Sequence, residues 1–152
     1  MFVQNHMTSP AIAVNPDTSV KDAAEILRRK SFHQLPVTDT QSNLLGIVTD
    51  RDIRSATAYD AAAHADLAVE EIMTPDPESI EQDAPLEDAL RVLHARQFNA
   101  IPVVDHRRLV GIITRHDILA AFHSLLGLDE PGSRIEVAIP LGSPDIANAL
   151  SA

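Results

Sequence analysis

The run Gly46-Ile47-Val48-Thr49-Asp50-Arg51-Asp52 places a hydroxyl at the end of a β-branched segment and a carboxylate three residues later. Two kinds of chemistry fit that spacing. Thr-x-x-Asp is close to a capping box, in which the two side chains satisfy free N–H groups at a helix start. A helix start also offers unpaired donors and a positive dipole end to a phosphate. A carboxylate can accept from two neighbouring hydroxyls, as acidic residues do for a ribose. The motif occurs a second time, as Gly111-Ile112-Ile113-Thr114-Arg115-His116-Asp117. Arg51 and Arg54 adjoin the first copy, Arg115 and His116 the second. Guanidinium groups pair with phosphate through parallel hydrogen bonds, although each of these cations, taken alone, is equally a solvated charge. Asp50 weakens the first copy for anions, so the second is expected to bind phosphate better.

The doubling extends well beyond the motif. Leu35-Pro36-Val37-Thr38-Asp39 returns as Ile101-Pro102-Val103-Val104-Asp105, and Met7-Thr8 returns as Met73-Thr74. From Met7/Met73 to Asp39/Asp105 the offset is 66 residues; past the next turn it is 65, one residue being lost between Thr40–Asn43 and His106–Arg108. The chain therefore holds two copies of one supersecondary unit. Neither copy is large enough to bury a sufficient core alone, so they are expected to pack together and enclose a cleft with two equivalent sites.

Each copy reads as β-α-β-β-α. A short extended stretch (Ile12–Val14, Glu78–Ile80) lies next to prolines that discourage helix. Val20, Ala23, Ala24 and Leu27 then fall on one helical face, as do Leu86, Ala89, Leu90 and Leu93. Thr18 or Ser19 suits the first N-cap and Pro85 the first turn of the second helix. Leu35–Asp39 with Leu45–Thr49, and Ile101–Asp105 with Val110–Thr114, read as hairpins. Pro36 and Pro102 cannot donate to a ladder, which predicts that their strands sit at an edge or start there. Gly46 and Gly111 mark bulges or close approaches to the backbone. The closing helices present Ile53 in one copy, and Ile118, Leu119 and Phe122 in the other.

The doubled pattern Met-Thr … Leu/Ile-Pro-Val-x-Asp … Gly-aliphatic-aliphatic-Thr-x-x-Asp-Ile strongly resembles the CBS domain, which occurs in tandem as a Bateman module. The resemblance runs from about Asn5 to Phe122 and implies an α+β fold: repeat 1 at 5–56, a linker at 57–71, repeat 2 at 72–123 and a tail at 124–152. It further implies a pseudo-two-fold pair with two sites for adenosyl ligands (AMP, ADP, ATP or S-adenosylmethionine). Asp52 and Asp117 would hold ribose hydroxyls, with Thr49 and Thr114 assisting at ribose or phosphate, and Arg51, Arg115 and His116 nearby. Base pockets would comprise Ser9, Pro10 and Ala11 with His33, Gln34, Leu35 and Pro36, and in the second copy Pro75, Asp76 and Pro77 with Asn99, Ala100, Ile101 and Pro102. Unequal affinities are expected, because the pockets differ. The resemblance also implies a homodimer acting on a protein effector. The tail is similar to the opening strand and helix of an ACT domain, an arrangement known from acetoin-utilisation-type CBS proteins, with Ser133–Pro140 alternating and Pro144–Leu150 helical.

Composition narrows the alternatives. A net charge of −10 over 152 residues argues against nonspecific nucleic-acid or anionic-lipid binding. The absence of cysteine excludes disulfides and thiolate metal sites and fits a cytoplasmic location. No membrane span is expected. The histidines are scattered, and no nucleophile elbow or His-Glu-x-x-His helix occurs, so neither a metal site nor catalysis is expected. No tightly bound cofactor is expected beyond the regulatory nucleotide, with Mg2+ if that is ATP. Two rival functions stand: a homodimerisation or interaction module without a small ligand, and the regulatory part of a CBS-ACT amino-acid sensor.

Overall fold

The computed structural model describes residues 1–58 and 67–127. Met1–Ala121 form one compact unit. Phe122 opens a second, whose described part is the last turn of a helix, with the Leu126 N–H donating to the Phe122 carbonyl at 3.0 Å. The tail expected to be ACT-like begins at 124 and lies almost wholly outside the described residues.

Repeat 1 contains helix α1 (Val20–Lys30), strands β1 (Gln34–Thr38) and β2 (Leu44–Thr49), and helix α2 (Asp50–Thr57). Repeat 2 contains β3 (Thr74–Pro75), β4 (Ile80–Glu81), α3 (Leu86–Arg96), β5 (Ala100–Asp105), β6 (Arg108–Thr114) and α4 (Arg115–Leu125). This is the α+β tandem fold that the sequence implies. Ser19 caps α1, its hydroxyl accepting from the Asp22 N–H at 3.0 Å. Pro85 stands one residue earlier than expected, at the N-cap of α3. The helical stripes point inward in part: Val20, Ala23 and Leu27 are buried with Ala24 partly so, and Leu86, Ala89 and Leu93 are buried, but Leu90, expected on the same face, is 41% exposed. They pack on Leu35, Val37 and Val48 in one repeat and face the equally buried Ile101, Val103 and Ile113 in the other. Each fully buried aliphatic side chain contributes about 1.5–3 kcal/mol through removal from water.

Two further expectations need correction. Pro36 and Pro102, expected at an edge or at a strand start, are each the third residue of their strand; β5 is the middle strand of β4-β5-β6, while β1 ends the order β1-β2-β3 with only Val14 bridged to Val37 beyond it. The proline is tolerated because of where pairing starts. The Val14 N–H donates to the Pro36 carbonyl at 3.0 Å and the Thr38 N–H to the Val14 carbonyl at 2.9 Å. The donor that Pro36 lacks would point just ahead of that first bond. Leu119 is 67% exposed and belongs to no inner face. It sits 100° around the helix from the buried Ile118 and off the stripe that Ile118 shares with Ala121.

The single-residue offset has a local cause. In repeat 2 the hairpin closes through His106 and Arg107, both at positive φ (46° and 77°), which is the two-residue turn matching strand twist. Repeat 1 uses a longer loop, held by the Asp39 carboxylate accepting from the Gln41 and Asn43 N–H groups at 2.9 and 2.8 Å.

The repeats exchange their leaders. Val3–Asn5 form a turn of 3-10 helix that docks on repeat 2: the Val3 N–H donates to the Ala84 carbonyl and the Leu86 N–H to the Met1 carbonyl. Val69–Glu71 do the same on repeat 1, where the Val69 N–H donates to the Thr18 carbonyl and the Val20 N–H to the Leu67 carbonyl. Leu67–Glu71, which the sequence assigns to a linker, thus close the core of repeat 1, and Val69 is fully buried there. The exchange continues into the sheets: β3 pairs with β2, and Thr8 pairs with Ile112 of β6. The hairpin turns also meet, the Leu44 N–H donating to the Arg107 carbonyl and the Leu109 N–H to the Ser42 carbonyl, each at 2.9 Å.

Candidate functional site

Both Thr-x-x-Asp motifs sit where a strand gives way to a helix, β2 to α2 and β6 to α4. The Thr49 hydroxyl donates to Asp52 Oδ2 at 2.7 Å, the Thr49 N–H donates to the same oxygen at 2.8 Å, and the Asp52 N–H donates back to Thr49 Oγ1 at 3.1 Å. Thr114 and Asp117 repeat these bonds at the same three distances. The capping box is therefore formed in both copies. It uses Oδ2 alone: among the described residues, Oδ1 of each aspartate accepts none of the hydrogen bonds. Both aspartates are half-buried. One oxygen fixes the carboxylate and the other is left to accept from an incoming hydroxyl, so capping and ligand binding are compatible at each position.

The two motif ends lie near each other. Gln34 is the strand partner of Thr49, and its side-chain amide donates to the Ala100 carbonyl at 3.2 Å; Ala100 is the strand partner of Thr114. Backbone bonds from Asp50 to His33 and from Arg115 to Asn99, each 3.0 Å, bring the expected base-pocket positions to the start of each helix. Leu35, Pro36, Ile101 and Pro102 are buried strand residues, and Ala100 is buried as well. The leader residues are crossed relative to their order in the chain. Ser9 donates its hydroxyl to the Val110 carbonyl of β6 at 2.8 Å, and the Asp76 N–H donates to the Leu45 carbonyl of β2 at 3.0 Å. Ser9, Pro10 and Ala11 thus run beside the sheet that carries Thr114, and Pro75, Asp76 and Pro77 beside the sheet that carries Thr49.

The cations are disposed differently from the sequence reading. Arg115 Nε donates to the Phe98 carbonyl at 2.6 Å and Nη2 to the Leu93 carbonyl at 3.1 Å. The guanidinium, expected to favour phosphate at the second copy, is thereby tied through Nε and Nη2 to the end of α3 and the turn after it. The matching position in repeat 1 is Asp50, which faces Arg54 Nη1 at 3.5 Å and His33 Nδ1 at 3.6 Å. Arg51 and His116 are exposed, and none of the described hydrogen bonds or ion pairs engages either side chain.

Met7 and Met73 have a function that the sequence did not reveal beyond marking the repeat. A Cβ on Gly111 would meet Met7 Sδ and, at 2.9 Å, the Thr8 carbonyl. A Cβ on Gly46 would meet Met73 Sδ and, at 3.0 Å, the Thr74 carbonyl. The glycines let each exchanged leader lie flat on the other repeat's strand. They also adjoin bulges, since the register shifts between Val37 and Thr38 and between Val103 and Val104. Both signals were in the sequence, as glycine and methionine at equal offsets.

A depression of about 340 Å3 is lined by Asn15, Pro16, Asp17, Asp39, Thr40 and Glu70, at the turn end of β1 and away from Thr49. Its acidic lining is the wrong chemistry for an anion. A smaller one of about 80 Å3 is lined by Leu44, Asp76, Pro77, Ser79, Val104 and Arg107, and includes two expected base-pocket residues. Among the described residues, no cluster of three or more His, Asp or Glu is placed to hold a metal ion, and no helix is long and apolar enough to cross a membrane.

The CBS domain family model matches residues 3–59 and 69–124. A CBS domain-containing protein of Dictyostelium discoideum is 34% identical over 129 residues, covering 78% of this chain and 89% of that protein. Inosine-5'-monophosphate dehydrogenase of Methanocaldococcus jannaschii is 32% identical over 139 residues; 91% of this chain matches, but only 27% of that enzyme. Among solved structures, CBSX2 in complex with AMP aligns at a TM-score of 0.74 with 34% identity, covering 82% of this chain and 97% of that one; CBSX2 is an Arabidopsis thaliana protein. A CBS domain pair in complex with 5'-methylthioadenosine and S-adenosyl-L-methionine aligns at 0.71 with 31% identity, over 82% and 98% of the two chains. A putative acetoin utilization protein from Vibrio cholerae aligns at 0.76 with 27% identity, over 86% and 98%. With two matched copies, two capping boxes and reciprocal leaders, the chain belongs to the CBS domain family as a tandem pair, a Bateman module.

Proposed function

We propose that this pair is a regulatory module that senses an adenosyl ligand (AMP, ADP, ATP or S-adenosylmethionine) and controls a protein partner. The observation that carries the reading is the carboxylate oxygen left open on both Asp52 and Asp117, in a family where solved pairs hold AMP, 5'-methylthioadenosine and S-adenosylmethionine. In this reading each aspartate binds a ribose diol, with Thr49 and Thr114 orienting it. Because the leaders are exchanged, Ser9, Pro10 and Ala11 serve the Asp117 site, and Pro75, Asp76 and Pro77 the Asp52 site. Occupancy shifts the population of arrangements of the two repeats, and an effector reads that shift. The module acts in the cytoplasm as a homodimer, without catalysis of its own. The match spans only 27% of the inosine-5'-monophosphate dehydrogenase and 23% of a homoserine O-acetyltransferase.

Thermal unfolding with AMP, ADP, ATP, S-adenosylmethionine and a GTP control tests this. At 100 times Kd, a ligand bound to the native state adds about 2.7 kcal/mol, a rise of roughly 5–10 °C for a chain of this size. A rise confined to adenosyl compounds is the expected result. No rise at millimolar concentration favours the second reading, an interaction module without a small ligand; the mutual Thr–Asp bonds of the capping boxes, which give both motifs a purely structural task, lend that reading its support.

A further inference from the structure

Resting on the adenosyl reading above, we infer that the two sites are divided by the ligand's tail: the Asp52 site takes a phosphorylated adenosyl ligand through Arg51, and the Asp117 site takes an adenosyl ligand without phosphate. The first residue of each helix decides the case at Asp117. There it is Arg115, and both donors it uses are aimed back at α3, to Phe98 O at 2.6 Å and Leu93 O at 3.1 Å. Releasing the guanidinium for a phosphate would give up both of these bonds and leave the Phe98 carbonyl, just past the end of α3, without the Arg115 donor, while Leu93 O would keep the Phe98 N–H. The cation that looks best suited to phosphate in the sequence is a structural strut.

At Asp52 the corresponding residue is Asp50, and its charge is opposed by Arg54 at 3.5 Å and accompanied by His33 at 3.6 Å. The next residue is Arg51, adjacent to Asp52 in the first turn of α2 and engaged by none of the described bonds. A ligand whose ribose is held by Asp52 carries its 5' substituent from the same sugar, next to that guanidinium and to the Arg51 N–H of the helix start, which no described bond engages. At the other site the equivalent of Arg51 is His116, an imidazole that lacks the fork able to grip two phosphate oxygens. The repeats thus offer one free guanidinium between two otherwise equal boxes.

Isothermal titration of the full chain with adenosine and with AMP, which differ by one phosphate, tests the division. A charge-assisted contact to phosphate corresponds to roughly tenfold in Kd. In the unsubstituted chain one site should prefer AMP by about that factor, and the other should not discriminate. Arg51→Ala should collapse the preference. Arg115→Gln, which removes charge but keeps a donor for Leu93 and Phe98, should retain it while Tm falls. Asp52→Ala should remove the AMP-preferring site and Asp117→Ala the indifferent one. Loss of the preference in Arg115→Gln, or its survival in Arg51→Ala, overturns the division and leaves the adenosyl reading standing. Failure of the unsubstituted chain to bind adenosine or AMP removes both.

Discussion

In the proposed reading Asp117 has two jobs for its two oxygens, the cap that is formed and the ribose contact that is proposed, and separating them is the sharpest residue-level test. Asp117→Ala removes the cap and the open acceptor together. The lost cap costs about 1 kcal/mol, or roughly 2–4 °C in Tm, while adenosyl binding at that site disappears. Calorimetry combined with titration checks both; unfolding of the whole chain would show that the carboxylate is structural only. A second carboxylate carries a pH signature. Asp39 accepts from the side chain of Asn43 and from the N–H groups of Asn43 and Gln41, which hold its pKa below the ordinary carboxylate value. A depressed folded-state pKa gives stability that is present above the unfolded pKa and lost as pH falls through the folded one. Asp39→Asn should therefore lose less stability than the unsubstituted chain when urea midpoints are followed from about pH 5 downward. At this scale the sequence was only half legible. The Thr-x-x-Asp spacing announced both boxes, because a cap is local. The tether of Arg115 was not legible because its acceptors, Leu93 and Phe98, lie 22 and 17 residues away and become available only once α3 ends beside the start of α4.

The elements were more legible, because periodicity reports burial directly. The hairpin strands came out within two residues of their observed bounds, and the stripes of α1 and α3 largely as buried, Leu90 excepted. The misplacement of Leu119 came from counting apolar residues instead of angles. What periodicity could not reveal is the partner of a glycine. Gly111→Ala would push a Cβ into Met7 Sδ and the Thr8 carbonyl. The thioether can move and the carbonyl cannot, so a cost of about 1–3 kcal/mol is expected, with only part of it relieved by Met7→Ala. A double-mutant cycle by urea unfolding should show coupling above about 0.5 kcal/mol. Additive effects would mean that the leader does not press on this strand.

Over the whole molecule, the repeats cannot be taken apart along the chain, because each one is completed by the leader of the other. Val3 is fully buried yet packs in a region bonded to Gln82, Ala84 and Leu86; Val69 is fully buried on the side of Pro16, Thr18 and Val20. The equal offset of Val3 and Val69 advertises the symmetry, but nothing local tells which repeat a leader joins. That choice is made by reach and by the stability of the swapped sheets, neither of which leaves a trace in residue spacing. The energetic consequence is coupling. Unfolding repeat 2 exposes Val3 and frees Met1–Met7, and it also withdraws β3 from β2, so repeat 1 loses a strand and the turn bearing Val69. Truncating either valine to alanine should cost roughly 1–3 kcal/mol, as for other shortened core side chains. Both should shift one common transition, whether it is followed by far-ultraviolet dichroism or by hydrogen exchange in either repeat. A biphasic urea curve, with Val3→Ala moving one phase and Val69→Ala the other, would mean that the repeats are independent. In that case ligand at one site would have no mechanical route to the other. A single transition instead lets an adenosyl ligand at either aspartate stabilise the whole pair, which is the property a two-site sensor needs if its partner reads the pair as one body.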